Sequence, residues 1–327
     1  MVKRSITANY INGCVTEIIR MRIASIDLGT NTFNLLIVDA EKGLFNVIHR
    51  DKRGVKLGRG GINDNIIRPD AWQRGMDALK EYNDEINLYK PDKVIATATS
   101  AIRNSTNGEE FVKTVKEKLG IDIRIIDGKE EARLIYAGVK HAVPFDEKPV
   151  LVMDIGGGSI EFIIADNGGI LWHNSFEAGA SRLLDRFKPS EPITKEEILN
   201  IENYVTNILS ELFDAAKIYC PKTIIGSSGS FDALANMASH VKCGEPVSLN
   251  SKYFNIPIEI YNSLHELLLK SDIEQRKSIP GMDIRRVELI VIGSILINIV
   301  VKKLNIVELI QSSYAIKEGV IFNATGL

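Results

Sequence analysis

Cysteine is scarce in this sequence. Cys14, Cys220 and Cys243 stand far apart, with no CxxC pair and no zinc-type spacing. That excludes a structural metal cluster and points to a reducing compartment, so a cytoplasmic location is expected. Long apolar runs are missing as well. The longest, Leu289 to Val301, contains Gly293, Ser294 and Asn298. It falls short of the roughly 20 residues a membrane span needs and reads as a buried helix. Residues 1–20 have no continuous apolar core of the signal-peptide kind. The formal charge of −2 gives no hint of a nucleic-acid surface or an acidic tail. The five histidines, His49, His141, His173, His240 and His265, form no metal spacing. GxSxG, HExxH, Walker A and GxGxxG patterns are absent, which excludes a P-loop NTPase and a dinucleotide fingerprint. No low-complexity segment occurs. The best local basic patch is "HRDKRGVKLGRG", His49 to Gly60, which reads either as a solvated loop or as an anion contact.

What is present is a chain of 327 residues, 45% hydrophobic and 25% charged, long enough for two domains of ordinary globular composition. "RIASIDLGTNTFNLLIVD", Arg22 to Asp39, reads as two strands around a glycine turn, and "VLVMDIGGGSIEFIIAD", Val150 to Asp166, reads the same way. Asp27 matches Asp154, Gly29 matches Gly156, Thr30 and Asn31 match Gly157 and Gly158, and Thr32 matches Ser159, at a constant offset of 127. Two copies so far apart are domains of similar topology and not a solenoid repeat. Alternating strand and helix signals make the chain α/β. Trp72, Met76, Leu79 and Ile86 share one helical face. Thr194 with Glu197 forms a capping box. The expected division is an extension over 1–20, expected to lack order, and a first domain over 21–146. A second domain follows over 147–305, and a C-terminal helix of about 306–327 rejoins the first. The stretch "HAVPFDEKP", His141 to Pro149, is the expected crossing.

The two Asp-x-Gly turns suit an anion. A turn of small residues presents several backbone N–H groups in one concavity, to which Thr30, Thr32 and Ser159 can add hydroxyls. The acid at each strand end, Asp27 or Asp154, can hold a divalent cation such as Mg²⁺. Two ordinary hairpin turns would need none of this. Two matched copies and a third run, "GSSGS" from Gly226 to Ser230, argue for phosphate. "DGKEEARLIY", Asp127 to Tyr136, opens a helix with Glu130 and Glu131. The helix dipole alone accounts for them, while the chemical alternative is a general base for water. Arg103 follows a buried strand, where it either bridges phosphate oxygens or makes a surface salt bridge.

Five stretches together resemble the exopolyphosphatase/guanosine pentaphosphate phosphatase family: "IDLGTNTFNLLI", "ATATSAIRNSTNGEEF", "IIDGKEEARLIYAGV", "VMDIGGGSIEF" and "IGSSGSFDALA". The resemblance runs from about Met21 to near the C-terminus and is to the short two-domain form. It implies two ribonuclease-H-like domains of the actin, sugar-kinase and Hsp70 superfamily, with the active site in the cleft between them. It also implies Glu131 as the base activating water, Arg103 as a grip on phosphate, and Asp154 with Asp27 as Mg²⁺ ligands. Asp27, Gly29, Thr30, Asn31, Gly156, Gly157, Gly158, Ser159, Gly229 and Ser230 would then bind phosphate. The sequence departs from the family pattern at Asn34, where many members carry Arg, and in "SSYAIKEG", where Tyr314 and Lys317 stand for Asp and Arg. The preceding element reads "RRVE", Arg285 to Glu288.

The expected activity is a Mg²⁺-dependent release of terminal phosphate from inorganic polyphosphate. Guanosine pentaphosphate is the alternative substrate within the same chemistry, and a base pocket near "GSSGS" would favour it. A kinase or ATPase of the same superfamily and a nucleotide-binding sensor are the readings from other classes. No nucleic-acid or membrane partner is expected. Oligomeric state is not set by the sequence, a homodimer being one option.

Overall fold

The computed structural model describes residues 6–11, 14–19, 21–41 and 44–326. Within the N-terminal extension, Ile6–Ile11 pairs antiparallel with Cys14–Ile19 as a sheet of its own, and residues 1–5, 12–13 and 20 lie outside the described residues.

Two larger sheets organise the rest. The first runs, across the sheet, Leu44–Arg53, Phe33–Glu41, Met21–Leu28, Lys93–Ala98, Ile123–Ile125. Its first three strands form an antiparallel meander, and the last two run parallel to Met21–Leu28. The second repeats that order with Gly169–Phe176, Ile160–Asp166, Val150–Ile155, Thr223–Ser227 and Glu308–Ser312, and adds Tyr253–Ile256 at its edge. Both therefore carry the strand order 3-2-1-4-5 of a ribonuclease-H-like domain, as the matched hairpins imply. Their central strands are near-continuous apolar runs because both faces are covered. Every residue of Val150–Ile155 is buried.

Helices form where the spacing indicates. Pro69–Tyr89 begins with proline in its first turn, buries Leu79 and Ile86, and packs Trp72 and Met76 on the same core. Thr194 caps Lys195–Ile208 with Glu197 in the reciprocal box. The apolar run is a helix, Ile290–Leu304, buried throughout residues 290–301. No helix among the described residues is long and apolar enough to cross a membrane.

The C-terminal helix starts later than about 306. The "ELIQS" run is a strand, Glu308–Ser312, held parallel to Thr223–Ser227 and antiparallel to Tyr253–Ile256, and only then does Ile316–Thr325 begin. Paired on both edges, that run satisfies its backbone in the second sheet.

Two helices join the halves by exchange. Gly128–Ala142 comes from the first half, yet Ala132, Ile135 and Val139 pack with Val152, Ile163 and Ile225 of the second sheet. Ile316–Thr325 follows the second sheet but sets Ile321 among Ile23, Leu36 and Val38 of the first. They touch through small residues: a Cβ on Gly319 would lie 1.8 Å from the Leu134 carbonyl oxygen. That closeness fixes the two sheets around one cleft.

Candidate active site

The two turns meet face to face in that cleft. Each closes the same way, with the N–H of Gly29 donating to Thr32 O and that of Gly156 to Ser159 O, both at 3.1 Å. Their carbonyls are held from behind. Those of Thr30 and Asn31 accept from Gly58 and Lys56, at 3.1 and 2.9 Å. Those of Gly156, Gly157 and Gly158 accept from the start of the helix Ala180–Phe187 and the residue before it, at 2.9–3.1 Å. In a planar trans peptide the N–H points opposite to the C=O. The N–H groups of Asn31 and Thr32 on one side, and of Gly157, Gly158 and Ser159 on the other, are thereby turned toward the cleft that these residues line. None of the five has a backbone acceptor among the described residues. This is an anion nest built twice.

The cleft has a mostly polar lining. Asp27 and Asp154 end the central strands of the two sheets and are buried. Asn34 Nδ2 donates to Asp27 at 2.9 Å. Asp154 accepts from Ser227 Oγ at 2.5 Å and from Ser228 Oγ at 2.7 and 2.8 Å. Ser228 has φ +70°, a left-handed conformation costing a non-glycine residue roughly 1 kcal/mol, and its two contacts to Asp154 hold it there. Burial pushes Asp27 up to about 6, against the Lys317 charge and the Asn34 hydrogen bond that favour its ionised form. Burial likewise raises Asp154, with Ser227 and Ser228 opposing.

The paired glutamates separate by direction. Glu130 is bonded to Arg124, at 2.5 Å. Glu131 is buried, lines the cleft, and accepts from Arg103 Nη1 at 2.8 Å. Asp127 caps this helix by accepting from the N–H of Glu130 at 2.7 Å, which fixes where the first turn points. Burial, and then the charge of Glu161, lift the Glu131 carboxyl well above its ordinary range, although Arg103 works the other way. Burial and the Asp154 charge lift Glu161 too. Arg103 does not itself line the cleft: it also donates to the Ile126 carbonyl at 3.1 Å and to Glu177 at 3.3 Å.

Asp27, Gly29, Thr30, Asn31, Glu131, Asp154, Gly156, Gly157, Gly158, Ser159 and Gly229 all line the one cleft. Ser230 does not; it is buried behind it, against Gly293. Sequence reasoning missed Lys52, Ser100, Ser228, Asp232, Arg286 and Ser312, which line the cleft as well. All six lie in stretches that the sequence singles out, Lys52 in the basic patch, Ser228 in "GSSGS", Asp232 just after it, Ser100 before Arg103, Arg286 in "RRVE" and Ser312 in "SSYAIKEG", without being picked individually. Of the departures, Asn34 holds Asp27, Lys317 lies 3.1 Å from Glu318, and the Tyr314 ring packs on Phe45 and Phe322.

A model of the Ppx/GppA phosphatase family matches residues 36–326. The chain is similar to the crystal structure of an exopolyphosphatase from Cytophaga hutchinsonii ATCC 33406, at 37% identity and a TM-score of 0.90, covering 93% of this chain and 98% of that one. It is also similar to the Aquifex aeolicus member of the Ppx/GppA family, at 26% identity and a TM-score of 0.75, covering 93% and 97%.

Proposed function

We propose, from the premise that the chain belongs to the Ppx/GppA phosphatase family and is a phosphatase hydrolase, that it releases the terminal phosphate of inorganic polyphosphate. Water activated by Glu131 is the nucleophile. The observation that carries this reading is the double nest, five N–H groups turned into a cleft that a buried glutamate also lines. Phosphoryl transfer asks a protein mainly to position groups and neutralise charge. The N–H groups of Gly157, Gly158 and Ser159 bind the equatorial oxygens from one side, and those of Asn31 and Thr32 from the other. Arg103 orients the Glu131 carboxylate, which takes the proton from water as the water attacks phosphorus. Burial and Glu161 raise the proton affinity of Glu131, which makes it a stronger base near neutral pH.

The residues fit a divalent cation of the magnesium type. Asp27 and Asp154 offer two carboxylates on one cleft, and Mg²⁺ takes one or two, with phosphate oxygens and water supplying the rest. When bound, the cation would neutralise charge on the phosphates.

The choice of polyphosphate over guanosine pentaphosphate is supported by the lining, which among the described residues has no aromatic side chain on which a base could stack. The test is phosphate release measured side by side on polyphosphates of several lengths, guanosine pentaphosphate and ATP, with and without EDTA. Fastest turnover on polyphosphate, stopped by EDTA, is expected. Preference for guanosine pentaphosphate, or turnover that requires an acceptor, would overturn the reading.

A further inference from the structure

Arg103 serves two acids, one in each half of the molecule. Its Nη1 donates to Glu131 and to the Ile126 carbonyl, at 2.8 and 3.1 Å. Its Nη2 donates to Glu177 at 3.3 Å and, among the described residues, to nothing else. Glu177 follows the strand Gly169–Phe176 of the second sheet and stands just before the helix Ala180–Phe187. It does not line the cleft, and the chemistry above gives it no task.

Glu177 is nevertheless held from several sides. Its Oε2 accepts from Ser100 Oγ at 2.9 Å, across the boundary between the halves, and from Arg182 Nη2 at 2.7 Å. Arg182 in turn donates through Nε to the Gly158 carbonyl and through Nη1 to the Ile62 carbonyl, both at 3.0 Å. One run of charged hydrogen bonds thus leads from the glycine triplet through Arg182, Glu177 and Arg103 to Glu131.

The two acids on Arg103 are pushed apart. Burial, then Glu161, and with them Asp27, raise Glu131 against the pull of Arg103. Burial raises Glu177 too, yet hydrogen bonds from Asn104 and Ser100 and the charges of Arg182 and Arg103 bring it below its ordinary range. Glu177 is therefore ionised wherever Glu131 titrates, and keeps its share of the guanidinium. An arginine fork can grip one carboxylate with two parallel N–H groups, but here it gives Glu131 only one. A full fork would favour the ionised form of Glu131 and weaken it as a base.

We propose that Glu177 is a positioning residue for the hydrolysis: by holding Nη2 it limits Arg103 to a single hydrogen bond on Glu131, and so keeps the base aimed at the bound phosphate and able to take a proton. This rests on Glu131 as the base, and not on which anhydride is cleaved. Because Glu177 and Arg103 come from different halves, the base is set only while the halves are together.

The test is the pH profile of kcat for phosphate release, from about pH 5 to about pH 9, on whichever of the substrates named above turns over fastest. Glu177→Gln keeps the shape and removes the charge, on a side chain 43% exposed that the fold can spare. The acid limb is expected to move to lower pH and the maximal kcat to fall about tenfold, with KM within about twofold. KM holds because the Gly158 carbonyl keeps its bond from the N–H of Gly179, so the nest stays formed. In an Arg103→Met background the same change should move the limb less than half as far and cost less than about twofold in kcat, since no guanidinium is left to share. A limb that stays in place, an equal shift in both backgrounds, or a loss confined to KM would overturn the proposal. Glu131→Gln, run alongside, separates two failures. Full activity there sinks the base and this proposal with it, whereas an inactive Glu131→Gln beside an unmoved limb in Glu177→Gln sinks this proposal alone.

Discussion

The turn Leu28 to Phe33 and the turn Ile155 to Ile160 are one structure with two sequences. Both close through the first glycine, both lie at the end of a central strand, and both have their carbonyls held from behind. They differ at the next two positions, Thr30 and Asn31 against Gly157 and Gly158. The reason lies between them. A Cβ on Gly158 would lie 2.4 Å from Ser100 Oγ and 2.8 Å from Thr30 Oγ1, and one on Gly157 would lie 2.9 Å from Thr30 Cβ. The threonine of one copy fills the space vacated by the glycines of the other. A repeat whose copies face each other cannot stay identical, because only one side can own the space between them.

Chemistry breaks the symmetry further, since the base comes from neither turn. Glu131→Gln should lower kcat on polyphosphate by about a thousandfold, within the range for a lost general base, while tripolyphosphate affinity changes little. Full activity in that variant would remove Glu131 from the mechanism. The turns themselves supply the next test. Gly158→Val should reduce kcat/KM by about a hundredfold through misplaced N–H groups, and Gly157→Val somewhat less. Asn31→Gly, at the position equivalent to Gly158, should cost less than about tenfold. Equal losses at the two positions would mean that the copies are interchangeable and that the steric account is wrong.

The double hairpin was legible because its signal is local and repeated: apolar runs, an acid and a glycine at a fixed offset. Glu131 was legible only as one of two, since a first-turn pair serves the helix dipole whichever way it points; Arg124 and the cap at Asp127 select between them. The remaining lining residues were hidden for a physical reason. Ser100 opens one short helix, Ser228 and Asp232 share the first turns of another, and Ser312 ends a strand, and nothing in a short window records that the fold brings these elements together. The strand Glu308–Ser312 was missed because its five residues are too few for a period to separate strand from helix. The basic patch has two uses that composition does not reveal. Its backbone at Lys56 and Gly58 braces the first turn, and its Lys52 side chain reaches the cleft.

The strands after the turns carry a second contrast at matched register. Asn34 stands opposite Asp27, and Glu161 stands opposite Asp154. Glu161 raises Glu131 by like charge, so Glu161→Gln removes that push. The acid limb of kcat should then move to lower pH, with the maximal rate within about tenfold of the parent. A limb that stays in place would show that Glu161 is not felt at Glu131.

The smallest effect is expected at Asn34. Its amide favours the ionised form of Asp27, which burial still holds at about 6 against an ordinary value of 3.8. The folded state thus keeps this proton more tightly than the unfolded chain. Asp27 therefore costs stability progressively as pH rises through the window from about 4 to about 6, on the order of 3 kcal/mol in all, and no more above it. Asn34→Leu should lift Asp27 further and extend the window upward. Without divalent cation, the drop in Tm between pH 5 and pH 8 should grow. If Tm keeps the parent's pH dependence, Asn34 is a spacer in the strand, and the two copies differ at this position without electrostatic consequence.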